Sequence, residues 1–191
     1  MSQHFRSDIR GTEVVEMFPE RVKNKTFVLS DLSKCGLAAT TADALAYGGA
    51  GTIIFLGHSQ PELQPVIDHI NRKHPQAKII FITANTGSLA SMHAAAATIK
   101  ELAVPIDGIV GFSRVMAAAW EVTADGIESH FQKNYLCHFV LVNQLLDTMP
   151  AGSRVVVMTT SIRREVPAPT WTDVNFSVSL VEGPWVEFFW K

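Results

Sequence analysis

Five short apolar runs, separated by four segments of helical composition, constrain this chain more than any other feature. The runs Thr26–Ser30, Thr52–Gly57, Lys78–Ala84, Gly108–Ser113 and Arg154–Thr160 are rich in β-branched and aliphatic residues. They are continuous rather than alternating, the pattern of strands covered on both faces. Between them, Gly36–Tyr47, Pro61–Lys73, Ser88–Leu102 and Gly126–Met149 carry helical period and composition. The order βαβαβαβαβ predicts an α/β fold, a doubly wound parallel sheet of about five strands whose right-handed crossovers put helices on both faces.

At 191 residues, 47% of them hydrophobic and 18% charged, the chain has the length of one domain with a sizeable core, and general disorder is excluded. Sixteen Lys and Arg against eighteen Asp and Glu leave a formal charge of -2, with no basic stripe to follow a phosphate backbone. Nucleic acid is therefore not an expected partner. No apolar stretch approaches the roughly 18 residues of a membrane span, and Met1–Arg10 is polar and lacks the apolar core of a signal peptide. A cytoplasmic location without a membrane partner is expected. Cys35 and Cys137 are too few for a disulfide framework, and the Cys and His spacings match no zinc pattern. Reduced thiols and no metal are the expectation.

In such a sheet the binding crevice lies beyond the carboxyl ends of the strands, where the winding reverses. The residues to read are Asp31–Gly36, His58 and Ser59, Asn85, Phe112–Met116 and Thr159–Arg164. One domain is expected, with an N-terminal arm over 1–24, a βα core over 25–165 and a divergent tail over 166–191. Pro167, Pro169, Gly183 and Pro184 punctuate the tail, which ends Trp185-Val-Glu-Phe-Phe-Trp190-Lys191. The fifth strand is apolar on both faces, and no later βα unit shields its outer edge. Exposed edges of that kind invite pairing. The aromatic tail or a second copy of the chain is expected to cover it, because the Trp and Phe side chains of the tail would make a costly exposed patch.

The most specific stretch is Thr123-x-Asp125-Gly126-x-Glu128-x-x-Phe131-x-x-Asn134-Tyr135-Leu136-x-His138-Phe139-x-Leu141, followed by Leu145-Leu146 and Ser153–Thr160. On these residues the chain from about Lys25 to Thr172 resembles the N-terminal two-thirds of a short-chain dehydrogenase/reductase, closest in style to the retinol-dehydrogenase-like and fungal branches. The resemblance implies a Rossmann-like fold and a family chemistry that depends on four elements, and this sequence departs at each. The first is the glycine-rich turn after the first strand, where bare backbone lets a diphosphate sit against a helix N-terminus. Here the turn reads Ser30-Asp31-Leu32-Ser33-Lys34-Cys35-Gly36-Leu37-Ala38, and only Gly36, with Ala38 after a one-residue gap, satisfies the pattern. Asp31 puts negative charge where phosphates would approach, which costs several kcal/mol unless a cation intervenes. Lys34 is either that cation or a solvated surface lysine.

The second element, an Asn-Asn-Ala-Gly turn shaping the nicotinamide floor, is replaced by Gly111-Phe112-Ser113-Arg114. Phe112 and Arg114 would intrude on the ring's volume, and Arg114 either grips a carboxylate or phenolate or stands in solvent. The third is the catalytic serine ending the fifth strand, where this chain has Thr160, with Thr159 before it and Ser161 after it. A threonine hydroxyl can still donate to a carbonyl. Asn134 matches the family's helix-borne asparagine; its alternative role is a helix-bending amide bonded to backbone. The fourth element is a tyrosine with a lysine four residues later. The two tyrosines, Tyr47 and Tyr135, both precede the fifth strand and are followed at that spacing by Gly51 and Phe139. The family's carbonyl reduction cannot be written with these residues.

His138 lies one helical turn after Asn134 and shares its face. It is either a base bordering the crevice or a histidine packed between helix and sheet or at a dimer seam, and His130 is read the same way. Under the resemblance, His58 stands where a cofactor-selecting arginine often sits and Asn85 takes the adenine-side position. Arg163 and Arg164 either bind an anionic substrate or form a solvated rim. Asp173, Glu182 and Glu187 have no positional support. The leading expectation is a family-derived enzyme that binds a small apolar or aromatic molecule and catalyses a non-redox step such as isomerisation, dehydration or cyclisation. Thr160, Asn134 and Ser161 would give hydrogen bonds, Arg114 charge stabilisation, and His138 or Asp31 proton transfer. No cofactor is then needed. The alternative is an NADP(H)-dependent reductase with an atypical site, using Gly36, Ser33, His58 and Asn85 to hold the dinucleotide. A third reading is a noncatalytic binding or dimerisation module. A homodimer or higher homo-oligomer is expected through the tail and helix 126–149, whose face carries Phe131, Tyr135, Phe139, Val142 and Leu146.

Overall fold

The computed structural model describes residues 5–6, 8–32, 36–113, 115–116, 118–159 and 172–175. Five strands, β1 (Thr26–Ser30), β2 (Thr52–Gly57), β3 (Lys78–Thr83), β4 (Gly108–Gly111) and β5 (Arg154–Val157), form one sheet in the order β3-β2-β1-β4-β5. All pairings are parallel, with Val28 opposite Ile54 on one side and Ile109 on the other. The doubly wound α/β sheet expected from the sequence is thus present, and its winding reverses between β1 and β4. The helices are α1 (Gly11–Met17), α2 (Leu37–Tyr47), α3 (Gln60–Lys73), α4 (Leu89–Glu101), α5 (Ser129–Phe131) and α6 (Cys137–Leu145). Among the described residues no helix is long and apolar enough to cross a membrane.

Continuous apolar runs serve two layers at once because successive side chains point to opposite faces. Leu29, Ile53 and Phe55 pack with residues of α1, α2 and α3. Val28, Ile54, Leu56 and Ile109 pack with residues of α4 and α6. Each such fully buried side chain contributes roughly 1.5–3 kcal/mol relative to exposure. Part of the expected arm belongs to this core. Val15 of α1 and Val22 are buried in the first layer, and a Cβ at Gly48 would meet both at 2.9 Å. The missing side chain at Gly48 is what lets α1 lie against the end of α2.

The long helix differs from the sequence expectation. It begins at Ser129, not Gly126. Gly126 takes φ +74° in a turn, Val122 and Glu128 form an antiparallel bridge, and the Glu128 carboxylate accepts from the His130 and Phe131 N–H groups as the cap. After α5 the backbone widens into a π-helical turn over Gln132–Leu136, continues as α6 and closes as a 3-10 turn over Leu146–Thr148. Apolar spacing does not reveal a bulge of one extra residue, because the apolar face resumes after it. Three strands also end before their apolar runs do. Ala84 and Met158 lie past the strand ends yet still donate to Gly57 O and Gly111 O, at 2.9 Å each.

At the far side of the sheet, the side chains of β5 from Arg154 to Val157 are all exposed. The tail expected to cover that edge lies, apart from 172–175, outside the described residues.

Candidate functional site

The reversal between β1 and β4 opens the crevice at their carboxyl ends. Just past β1, Asp31 is exposed with φ +54°, a left-handed conformation that Asp adopts more readily than most residues. Gly36 follows at φ +100°, and a Cβ built there would meet nothing within 4 Å. Gly36 offers no side chain to cap α2. The nearby hydroxyls of Thr40 and Thr41 turn back onto the carbonyls of Gly36 and Leu37, at 2.7 Å each. The first-turn N–H groups of α2 therefore stand at the end of β1, with no side-chain cap among the described residues. The strand order sets His58, after β2, and Asn85, after β3, on the same end of the sheet. Both are exposed. Asn85 is partly committed locally, its Oδ1 accepting from Gly87 N at 2.9 Å.

The opposite wall comes from the long helix. Asn134, in the π-helical turn, holds Val115 by a pair of bonds: Val115 N donates to Oδ1 at 2.6 Å and Nδ2 donates to Val115 O at 2.9 Å. Its amide is engaged with backbone and anchors the loop that leaves β4. His138, one turn on, is 5% exposed. Its ring packs against β4, so that a Cβ at Gly111 would stand 2.6 Å from Nδ1, and Nε2 is 3.4 Å from Ser113 O. Burial pushes the imidazole pKa down, opposed by the Ser113 carbonyl and the charge of Asp31. Burial thus favours the neutral ring, and the charge of Asp31 at the end of β1 acts against it.

Three residues of this neighbourhood did not figure as site residues in the sequence reading. Ser30 and Ser113 are buried hydroxyls, and neither Oγ has a well-formed hydrogen bond. Cys137 is buried, donates from Sγ to Lys133 O at 2.8 Å, and is pushed up to about 12 by desolvation, although the Ser113 hydroxyl beside it favours the thiolate. The only signal in the sequence was their position, short polar residues at the ends of β1 and β4 and the residue before His138.

His130 is placed elsewhere: its Nδ1 is 2.7 Å from Glu128 Oε1, a carboxylate already used to cap α5. Gln132 is fully buried, donates to Asp125 Oδ2 at 2.6 Å and accepts from the Thr123 hydroxyl. The same Asp125 oxygen accepts from Leu89 N at the start of α4, at 2.8 Å. The motif residues Thr123, Asp125 and Glu128 thus fix the loop before the helix rather than face the crevice. Ser33, Arg114, Thr160 and Ser161, with Lys34, Arg163 and Arg164, lie outside the described residues. Among the described residues no cluster of three or more His, Cys, Asp or Glu is arranged to hold a metal ion.

The burial of His138 has a measurable consequence. Its folded-state pKa lies below the 6.5 of a free imidazole, so as pH falls below about 6.5 the unfolded chain takes up a proton that the folded chain refuses. Stability is full above that range and falls as the pH drops toward the depressed value. The urea midpoint is expected to fall between pH 7.5 and 5.5, and His138→Gln is expected to shrink that fall. An unchanged pH slope in the variant would remove His138 as its source.

Residues 33–173 match the short chain dehydrogenase family. An oxidoreductase of Fusarium equiseti is 29% identical over 170 residues, which cover 85% of this chain and 66% of that protein. The polyprenol dehydrogenase of Homo sapiens is 29% identical over 173 residues, covering 88% of this chain and 52% of that protein. The chain thus spans between about half and two thirds of the length of these curated relatives. A short chain dehydrogenase from Burkholderia cenocepacia J2315, solved in complex with NADP, superposes with a TM-score of 0.65 at 20% identity, over 78% of this chain and 60% of that one. At that identity the likeness shows the fold alone.

Proposed function

The chain belongs to the short-chain dehydrogenase family, and from that premise we propose that its crevice binds a dinucleotide of the NADP(H) type, as an oxidoreductase-family protein with an atypical active site. The observation that carries this reading is the N-terminus of α2 at Gly36, which among the described residues has no side-chain cap and nothing within 4 Å of where a Cβ would stand. Free N–H groups and the positive end of a helix dipole suit a diphosphate. The Burkholderia relative solved with NADP has the same fold. A bound dinucleotide would supply hydride chemistry.

This chain's own residues bind and orient. Gly36 admits a phosphate at the α2 terminus. His58 and Asn85 stand at the ends of β2 and β3, where the adenosine half would lie. Asn134 holds Val115 and so fixes the loop after β4 against the helix. Asp31 works against the diphosphate, which sets the affinity below what the bare turn would give. Among the described residues of this neighbourhood, His138 and Asp31 are the groups suited to moving a proton near neutral pH.

Titration with NADPH, followed by energy transfer from tryptophan to the reduced nicotinamide, is expected to saturate. Asp31→Gly removes a like charge and should tighten Kd about tenfold, equivalent to about 1.4 kcal/mol. Gly36→Val, with a branched side chain on left-handed backbone in the open space, should weaken binding by at least about tenfold. No saturation up to millimolar NADPH in either the parent or Asp31→Gly refutes the proposal.

A second reading, a non-redox proton transfer on a small apolar or aromatic substrate, draws on the His138 imidazole, whose neutral form burial favours and on which the Asp31 charge acts. Turnover that is independent of dinucleotide and lost in His138→Gln would favour it over the first.

A further inference from the structure

An apolar strip on one side of the sheet has no cover among the described residues. On the long helix, Phe131, Tyr135 and Phe139 stack in a row, with ring centroids 5.4 Å and then 6.1 Å apart. Tyr135 is 49% exposed, Phe139 52% and Leu146 54%. On β5, Val155 and Val157 pair with Ile109 and Gly111. Paired residues in a parallel sheet point to the same face. Ile109 belongs to the layer formed with α4 and α6, and the His138 ring lies on Gly111. Val155 and Val157 therefore face the same side as the helix, and both are exposed by more than 40%. So much exposed apolar surface on one side of the sheet is unusual on a free face.

The chain itself returns to the foot of that helix. Asn175 is clamped there by three bonds. Its Oδ1 accepts from Glu128 N at 2.9 Å, its Nδ2 donates to Gly126 O at 3.1 Å, and its carbonyl accepts from Trp120 Nε1 at 2.9 Å. Residues 176–191 follow directly, and they hold Phe176, Val178, Leu180, Trp185, Phe188 and Trp190 among few charges. An extended chain advances about 3.3 Å per residue and a helix about 1.5 Å. Fewer than half as many extended residues as helical ones run the length of the strip, so the segment reaches it with chain to spare.

We propose that residues 176–191 dock in cis on the strip formed by Tyr135, Phe139 and Leu146 of the helix and Val155 and Val157 of β5, entering at the Asn175 clamp. The apolar side chains of the segment cover apolar surface that is otherwise wet, and the clamp lowers the entropy cost of docking by fixing one end. This interaction is independent of dinucleotide binding, so either proposal can fail without the other.

The test places a photoreactive benzophenone at the exposed ring position, Phe139→p-benzoylphenylalanine, in the full chain. A mixture of isotopically heavy and light protein at micromolar concentration is irradiated, and the cross-linked peptides are identified by mass. The expected product joins position 139 to residues 176–191 of the same chain, heavy to heavy and light to light. Its yield is expected to drop several-fold in Asn175→Ala, while a probe at Tyr135 gives the same partner. Heavy-to-light cross-links, the mark of a second copy on the strip, overturn the proposal, as does the absence of any product within 176–191.

Discussion

Alanine at Gly111 is expected to destabilise the fold by about 2–3 kcal/mol, the upper part of the range for overpacking a core. The added Cβ would stand 2.6 Å from His138 Nδ1, 2.7 Å from Cε1 and 3.2 Å from Cγ. An imidazole ring is rigid and cannot fold away, and Gly111 is held on both sides by pairing with Ser30 and Val157. Either the ring or the strand must move, and His138 is buried. Urea denaturation measures the loss. A second variant identifies its source: Gly111→Ala combined with His138→Ala removes the clash, so the pair should be more stable than the sum of the single effects by more than about 1 kcal/mol. Strict additivity would show that the strand, not the ring, sets the cost.

Cys137 should be among the least reactive thiols a protein can carry. Its side chain is fully buried, and its pKa is raised from an ordinary 9.0 to about 12, mainly by desolvation. The thiolate is the nucleophile, and ionisation near 12 instead of 9 leaves roughly a thousandth of the thiolate at neutral pH. Alkylation of the Cys137 peptide by iodoacetamide, followed by mass spectrometry, is expected to be at least about a thousandfold slower in native buffer than in urea. Native labelling within tenfold of the unfolded rate would contradict the burial of Cys137. The same shift sets a limit at high pH. Because the folded thiol keeps its proton between about 9 and 12 while the unfolded one loses it, stability is full below pH 9 and falls above it.

These two effects rest on residues the sequence treated differently. Gly111 was legible only as the start of an altered turn, and Cys137 only as one of two reduced thiols. Their importance comes from a helix and a strand meeting at a spacing that neither segment encodes alone. Asn134 was legible in both its roles, and the geometry assigns its amide to Val115. His138 was similarly open between a base and a packed ring. It is packed, and the charge of Asp31, a residue more than a hundred positions earlier, acts on it. The helix start was misplaced at Gly126 because the apolar pattern does not register a cap, whereas the Glu128 carboxylate does.

By itself the sequence determined the layers. A run such as Ile53-Ile54-Phe55-Leu56 can satisfy both of its faces only inside a covered parallel sheet, and the period of the intervening segments makes them its covering helices. Those are local regularities, carried by neighbours in the chain. The tertiary structure alone decided that β1 lies between β2 and β4, that Ser113 of the loop after β4 meets Cys137 and His138 of the helix, and that Asn175 returns to Glu128. Such meetings depend on where crossovers land, and a periodic pattern fixes which face a residue takes without fixing which distant residue it will face there.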